Sequence, residues 1–336
     1  MKKIAVFGSG SWGTAIATLL VRAGHNVSLI GIFADEIDLM KRKKENVQYL
    51  PGVFLPDEIT PTTDLKELDA EAVFLSVPSH AVRECAQLMK PYLRPGCIII
   101  NTGKGLEEKT GLRLSQVLEE ELPNHPIAVL SGPSHAEEVG RDVVTAVVVA
   151  AKDIKVAEAV QDLVMTSKFR VYTNQDIIGV EMGGALKNII ALCTGILDGM
   201  NPKDNTKAAL MTRGLAEMTR LGVAMGGKPE TFYGLAGIGD LIVTCTSLHS
   251  RNLRAGRALG TGKPLDEVLR EVGMVVEGVK ATTVAYKLSK ELDISMPITE
   301  QAYKVLYEGL SPSEALENLM MRGKKHETED SGILGF

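Results

Sequence analysis

The hexapeptide GSGSWG, residues 8–13, constrains this chain more than any other stretch. It follows a β-rich run, KKIAVF, and opens an apolar helical pattern, TAIATLLVRAG; HNVSLIG then reads as a second strand. Gly8, Gly10 and Gly13 stand in G-x-G-x-x-G spacing. In a strand–turn–helix–strand context that spacing marks a dinucleotide-binding unit. Gly8 permits the tight turn, Gly10 lets the backbone approach a pyrophosphate, and Gly13 lets the helix pack closely on its strand. The helix N-terminus supplies N–H donors and partial positive charge to phosphates. The competing reading is a tight turn with no ligand, but three glycines weaken a helix start without other gain.

The rest of the first half keeps the alternation. Strand patterns recur at 72–77, 96–102, 127–132, 145–151 and 169–173, with helical patterns such as AVRECAQLMKPYL and LRLSQVLEEEL between several of them. Strands spaced by helices predict a parallel, doubly wound α/β sheet. Beyond residue 178 the β-branched runs thin out. Helical patterns take over at 179–200, 206–227 and 275–292, so an all-α domain is expected over 179–336, after a nucleotide-binding domain over 1–178. SPSEALENLM predicts a further helix with Ser311 as N-cap and Glu314 completing a capping box. The tail, residues 323–336, reads as a frayed end.

Composition excludes several function classes. Lys and Arg total 37 against 42 Asp and Glu, a net charge of −5, with no basic block beyond the run at 41–44, which fits a solvated helix face. That argues against nucleic-acid binding. Cys85, Cys97, Cys193 and Cys245 are scattered, with no CxxC pair and no HExxH, so neither a metal nor a disulfide framework is expected. No apolar run reads as long enough to cross a bilayer, and glycines interrupt the N-terminal run that imitates a signal peptide. A cytoplasmic chain without an integral membrane segment is expected.

Polar residues cluster where strands end, the place ligands bind in doubly wound sheets. VFLSVPSH ends in Ser76, Ser79 and His80; IIINTGKGLE in Lys104 between two glycines; AVLSGPSHAEE in Gly132, Ser134 and His135. Alone, Lys104 reads as a solvated loop lysine, and the two histidines as loop residues. In the helical half, GGALKNIIAL (183–192) puts Lys187 on a face of small residues. There it either snorkels or meets a neighbouring backbone or a ligand. GLAGIGDLIVTCTSLHSRN (234–252) suggests a turn between helices, holding Asp240 and ending in Ser250, Arg251 and Asn252. Arg with flanking Ser and Asn suits a phosphate or carboxylate, although turn chemistry alone explains the glycines. Glu277 in VVEG fits a helix N-terminal acid.

The end of the second strand carries neither usual cofactor signal. An acid there binds the adenosine ribose, and an Arg favours the 2′-phosphate of NADP. This chain has Gly31, Ile32 and Phe33, with Asp35 slightly later.

Taken in order, GSGSWGTA, VPSH, KGLE, SGPSHAEE, FRVYT, GALKNIIA, AALMTRGLAEM, GLAGIGDLIVTC, SRN, VVEG and MPITE resemble the bacterial-type NAD(P)-dependent sn-glycerol-3-phosphate dehydrogenases over nearly the whole chain. The resemblance implies a Rossmann-type N-domain, an all-helical C-domain of the 6-phosphogluconate dehydrogenase C-terminal type, and a homodimer. It implies NAD(H) or NADP(H) as cofactor, no metal, and reversible reduction of the small phosphorylated substrate dihydroxyacetone phosphate to sn-glycerol 3-phosphate for glycerophospholipid synthesis. Lys187 would be the catalytic acid/base, with Asp240 beside it. Lys104, Gly132, Ser134, Lys187, Asp240, Ser250, Arg251 and Asn252 would line the substrate. Gly8, Gly10, Ser11, Trp12, Gly13, Lys104, Ala136, Arg251, Val275 and Glu277 would touch the cofactor. The family commonly has His or Arg where this chain has Ile32, and an acid where it has Phe33.

The residue types suit that chemistry. Hydride arriving at a carbonyl carbon leaves negative charge on oxygen, which needs a proton donor and nearby cations. An unperturbed lysine, at about 10.4, is too basic to take that proton back at neutral pH unless burial and cations lower it. Two competitors share the sequence: a dehydrogenase of the same architecture acting on a hydroxy or sugar acid, and a dinucleotide-binding regulator without turnover.

Overall fold

A computed structural model of the chain describes residues 2–201, 204–324 and 326–327. The chain divides into two compact units, Met1–Gly103 with Leu114–Ile177, and Lys104–Arg113 with Ile178–Phe336. The segment 104–113 thus belongs to the helical unit, although it lies within the stretch 1–178 read above as the first domain. Most of the tail expected to fray lies outside the described residues.

The first unit is one eight-stranded sheet in the order β3-β2-β1-β4-β5-β6-β7-β8. Its strands are β1 (Lys3–Phe7), β2 (Asn26–Ile30), β3 (Ile59–Thr62), β4 (Ala72–Leu75), β5 (Ile98–Asn101), β6 (Ile127–Ser131), β7 (Thr145–Ala151) and β8 (Phe169–Asn174). Its helices are α1 (Ser11–Arg22), α2 (Ala34–Lys43), α3 (Val82–Met89), α4 (Leu114–Glu121), α5 (Ala136–Gly140) and α6 (Ile154–Val164). Helices cover both faces, so central strands are apolar without alternation: Ile4–Phe7 and every residue of β4 and β6 are buried.

Two features depart from the sequence reading. First, β7 runs antiparallel to β6. A parallel neighbour needs a crossover that carries the chain back along the sheet. The connection after β6 holds only α5, five residues long, about 7 Å at 1.5 Å per residue and too short for that return. The 11-residue α6 does span it, and β8 lies parallel to β7. Second, β3 is a strand although its sequence, ITPT, contains Pro61. It lies at the sheet edge, where a residue without an N–H is tolerated.

The second unit is helical: α7 (Ile177–Gly199), α8 (Asp204–Ala224), α9 (Pro229–Phe232), α10 (Asp240–Thr246), α11 (Arg251–Gly260), α12 (Leu265–Val272), α13 (Glu277–Glu291), α14 (Pro297–Tyr307) and α15 (Pro312–Met320). The capping box expected at Ser311 and Glu314 is formed at α15. The core gathers around α7: Met182, Leu186 and Ile190 pack with Met218, Phe232 and Val284, and Leu192 and Ile196 with Ala255, Leu259 and Val276.

Helix α7 corrects the expectation that no run is long enough to cross a membrane. By length and composition it is, with a mean hydropathy of 1.4, yet 89% of that apolar window is buried inside the protein. It is the central core helix of its unit.

Glycines set how closely α7 approaches α11. A Cβ on Gly195 would stand 2.2 Å from the Leu253 carbonyl oxygen, and one on Gly256 would stand 2.1 Å from that of Leu192. Gly199 and Gly260 repeat the arrangement one turn later. The two backbones touch, and α11 carries Asn252 to α7.

Candidate active site

Lys187 lies in the middle of α7 and is 5% exposed, as is Asn188. Its Nζ donates to Asp240 Oδ1 at 2.6 Å and to Thr244 Oγ1 at 2.6 Å. Lys104 Nζ donates to the other oxygen of the same carboxylate, Asp240 Oδ2, at 2.7 Å. Two ammonium groups therefore share one buried carboxylate.

Local sequence explains each placement. Asp240 does not sit in the expected turn. It is the first residue of α10, directly after a π-helical turn, Leu235–Gly239; such wide turns are frequent at functional sites. Gly183 lets α7 lie against that turn, since a Cβ there would come within 2.6 Å of the Ala236 carbonyl oxygen. The space beside Gly183 is thus filled by neighbouring backbone rather than left for a ligand. Thr244, one helical turn past Asp240, bonds back to the Asp240 carbonyl oxygen at 2.6 Å and so aims its hydroxyl at Lys187.

The segment that carries Lys104 is tied down along its length. Asn188 Nδ2 donates to the Lys104 carbonyl oxygen at 3.0 Å. Leu106 is buried in the helical core and bridges Arg113 in antiparallel fashion. Arg113 forms a buried ion pair with Glu181 of α7 at 2.7 Å. A relay of amides continues from Asn188: Asn252 Nδ2 donates to Asn188 Oδ1 at 2.8 Å, and the Gly278 N–H donates to Asn252 Oδ1 at 2.9 Å. Asn252 thereby links α11, α7 and the start of α13. Ser250 caps α11, accepting from the Leu253 N–H at 3.2 Å, and Arg251 opens that helix. Glu277 is the first residue of α13, preceded by Val275 and Val276.

The electrostatics follow from burial and pairing. Burial pushes the Lys187 amine down from 10.5 to about 8; Asp240 opposes this, and the Lys104 charge adds to it. Burial works against the Asp240 carboxylate, but Lys104 and Lys187 outweigh it and hold the group below its usual range. The site thus holds an ammonium close to its titration point, clamped by an anion that stays ionised. Among the described residues, no group of three His, Cys, Asp or Glu could hold a metal.

The remaining sequence-assigned residues lie in the first unit. Gly8 has a φ of +116° and Gly13 packs so tightly on it that a Cβ would stand 1.8 Å from the Gly8 oxygen. Gly10 has open space where a Cβ would be. Gly132, at +124°, accepts from the Ser134 hydroxyl through its carbonyl at 2.8 Å, and Ala136 opens α5. Four residues of the lysine cluster escaped the sequence reading as partners: Thr244, Asn188, Arg113 and Glu181. The polar pair KN in an otherwise apolar helix was the available signal for Asn188; nothing local marks the others.

Sequence models of the N- and C-terminal domains of NAD-dependent glycerol-3-phosphate dehydrogenase match residues 3–157 and 176–317. The chain belongs to the NAD-dependent glycerol-3-phosphate dehydrogenase family. A glycerol-3-phosphate dehydrogenase [NAD(P)+] of Desulfitobacterium hafniense is 65% identical, over 100% of this chain and 96% of the relative. One of Bacillus subtilis is 52% identical over 98% and 97%. The crystal structure of glycerol-3-phosphate dehydrogenase from Coxiella burnetii superposes with a TM-score of 0.91 at 41% identity, covering 95% of this chain and 98% of that one.

As a glycerol-3-phosphate dehydrogenase family member the chain is an NAD(P)-dependent oxidoreductase, and the first unit fits such a nucleotide. The α1 N-terminus has no side-chain cap and no acid in its first turn. The open position at Gly10 leaves a cradle beside it that any side chain would fill. Among the described residues the buried Trp12 Nε1 donor in that turn has no hydrogen-bond partner. Gly8, Gly10, Ser11, Trp12 and Gly13 could hold such a nucleotide there.

Proposed function

We propose that the chain catalyses reversible NAD(P)H-dependent reduction of dihydroxyacetone phosphate to sn-glycerol 3-phosphate, with Lys187 as the proton donor. The observation that carries the reading is the buried Lys187–Asp240–Lys104 cluster. The bound nucleotide supplies a hydride to the substrate carbonyl carbon. The protein's task is then the charge that develops on oxygen. Lys187 delivers a proton to that oxygen and, in the oxidative direction, removes it. An amine at about 8 serves both directions near neutral pH, because a catalytic group works best when its pKa lies close to the operating pH. Lys104 adds a second positive charge to the same cluster, in a site dry enough for that charge to count. Asp240, with Thr244, fixes the direction of the Lys187 amine. Asn188 and Asn252 hold the segments that carry Lys104 and Arg251. Arg251 and the N-terminus of α11 offer charge and donors suited to a phosphate dianion.

The product feeds glycerophospholipid synthesis in this reading, and the enzyme works as a cytoplasmic homodimer. The four unpaired cysteines suit a reducing compartment.

The test is Lys187→Ala, assayed with dihydroxyacetone phosphate and reduced nucleotide. Turnover should fall by about 10²–10⁴, the usual worth of a positioned acid, while nucleotide binding is retained. Near-normal turnover would remove Lys187 from the reaction.

A further inference from the structure

Ile32 and Phe33 are 63% and 59% exposed, an adjacent pair of large apolar side chains at the end of β2. Their position is set by the sheet. Phe7 of β1 pairs with Ile30 of β2, and the Gly8 N–H donates to the Ile30 carbonyl at 2.9 Å. Gly31 then packs against the glycine loop, since a Cβ there would stand 2.4 Å from Ser9 Oγ. The glycine loop and residues 31–33 therefore leave the sheet side by side. In a dinucleotide fold this is where the adenosine ribose lies, and the residue here meets the 2′ position.

The charged groups around that position are mostly acidic. Asp35 and Glu36 occupy the first turn of α2, and Tyr49 Oη donates to Glu36 at 3.0 Å, holding it in place. β3, the next strand, pairs Thr62 with Ile30 and is followed by Asp64, which caps the turn after it. Cations are also present. Lys41–Lys44 lie at the opposite end of α2, about 10 Å along its axis from the first turn. Lys44 is paired with Asp57 at 2.7 Å. Lys66 is exposed in the turn opened by Asp64.

We propose that Ile32 and Phe33, backed by Asp35 and Glu36, make this chain selective for NADH over NADPH. The inference rests on the reading of the first unit as the nucleotide site. The apolar pair covers the adenine–ribose edge and offers no side-chain donor or positive charge to a 2′-phosphate, which carries close to two negative charges, and Asp35 and Glu36 offset the partial positive charge of the α2 N-terminus. The two carboxylates repel that phosphate, whereas a free 2′-hydroxyl meets no such penalty.

Trp12 is the chain's single tryptophan and lies in the glycine loop. Energy transfer from it to the reduced nicotinamide gives binding without turnover. Titrations of the full chain with NADH and with NADPH should show NADH at least about tenfold tighter at low salt, the lower range for a lost charge-assisted bond. Rising salt should narrow that ratio by screening the carboxylates. Ile32→Arg, at an exposed position, should raise NADPH affinity relative to NADH by about tenfold or more. NADPH binding as tightly as NADH to the unaltered chain overturns the proposal, as does Ile32→Arg leaving that relative affinity unchanged. Absence of binding by either nucleotide overturns the nucleotide-site reading, and this inference with it.

Discussion

Lys104→Met tests the electrostatic core of the proposed mechanism. Lys104 and Lys187 hold the two oxygens of one carboxylate at 2.7 and 2.6 Å. Carboxylate geometry then puts the ammonium groups about 6 Å apart, and Coulomb's law at an effective dielectric near 20 gives a repulsion of about 3 kcal/mol. Lys104 is 19% exposed, so solvent screens part of this, leaving about 1–3 kcal/mol. Methionine keeps the length and removes the charge. Lys187 then loses one of the influences that lower it, and its protonated form persists to higher pH. The reductive direction needs that form, so its rate falls as pH rises through about 8. In the variant this fall should move upward by about one pH unit or more, at 1.36 kcal/mol per unit. The oxidative direction needs the neutral amine, and its rise should move upward equally. The assay is the pH profile of kcat/KM in both directions, with thermal unfolding as the check on folding. The amplitude will also drop if Lys104 touches substrate, but the position of the limb is independent of amplitude. A limb that stays in place, or moves down, refutes the coupling of the two lysines.

Three further outcomes follow from geometry. Thr244→Val keeps the shape but removes the hydroxyl 2.6 Å from the Lys187 amine; kcat should fall about tenfold, the worth of one hydrogen bond to a charged group, with substrate KM nearly constant. Gly10→Val has open space in the fold, so melting temperature should hold while nucleotide binding, read by Trp12 fluorescence, is lost. Gly256→Ala puts a methyl 2.1 Å from the Leu192 carbonyl oxygen. Forcing α7 and α11 apart should cost about 1–3 kcal/mol or more in denaturant unfolding, the usual range for overpacking.

The legible parts of the fold were those with a local cause. The βαβ start, the strands at 145–151 and 169–173, α7 and the α15 capping box all announce themselves through periodicity, glycine spacing or cap chemistry. The direction of β7 depends on what a five-residue helix can span, and β3 on its place at the edge, where Pro61 does no harm. Neither property is written in a short window. The membrane-length apolarity of α7 is interrupted in the sequence by Lys187 and Asn188, which do not lower its mean hydropathy below that of a membrane-spanning helix.

The site divides along the same line. Lys187, Asp240 and Lys104 could be named as candidates because their motifs, taken in order, resemble those of the glycerol-3-phosphate dehydrogenases. Read singly, Lys104 favoured a solvated loop and Lys187 was balanced between snorkelling and function. Only packing shows that 104–113 folds into the helical unit, that Gly183 draws the π turn against α7, and that both amines meet on one carboxylate. The physical reason is the range of the forces involved. Turn, cap and amphipathic preferences act over a few neighbouring residues, so the sequence determines them. The depressed Lys187 amine requires desolvation and charges brought from 53 and 83 positions away along the chain, and that is settled only when the helices pack.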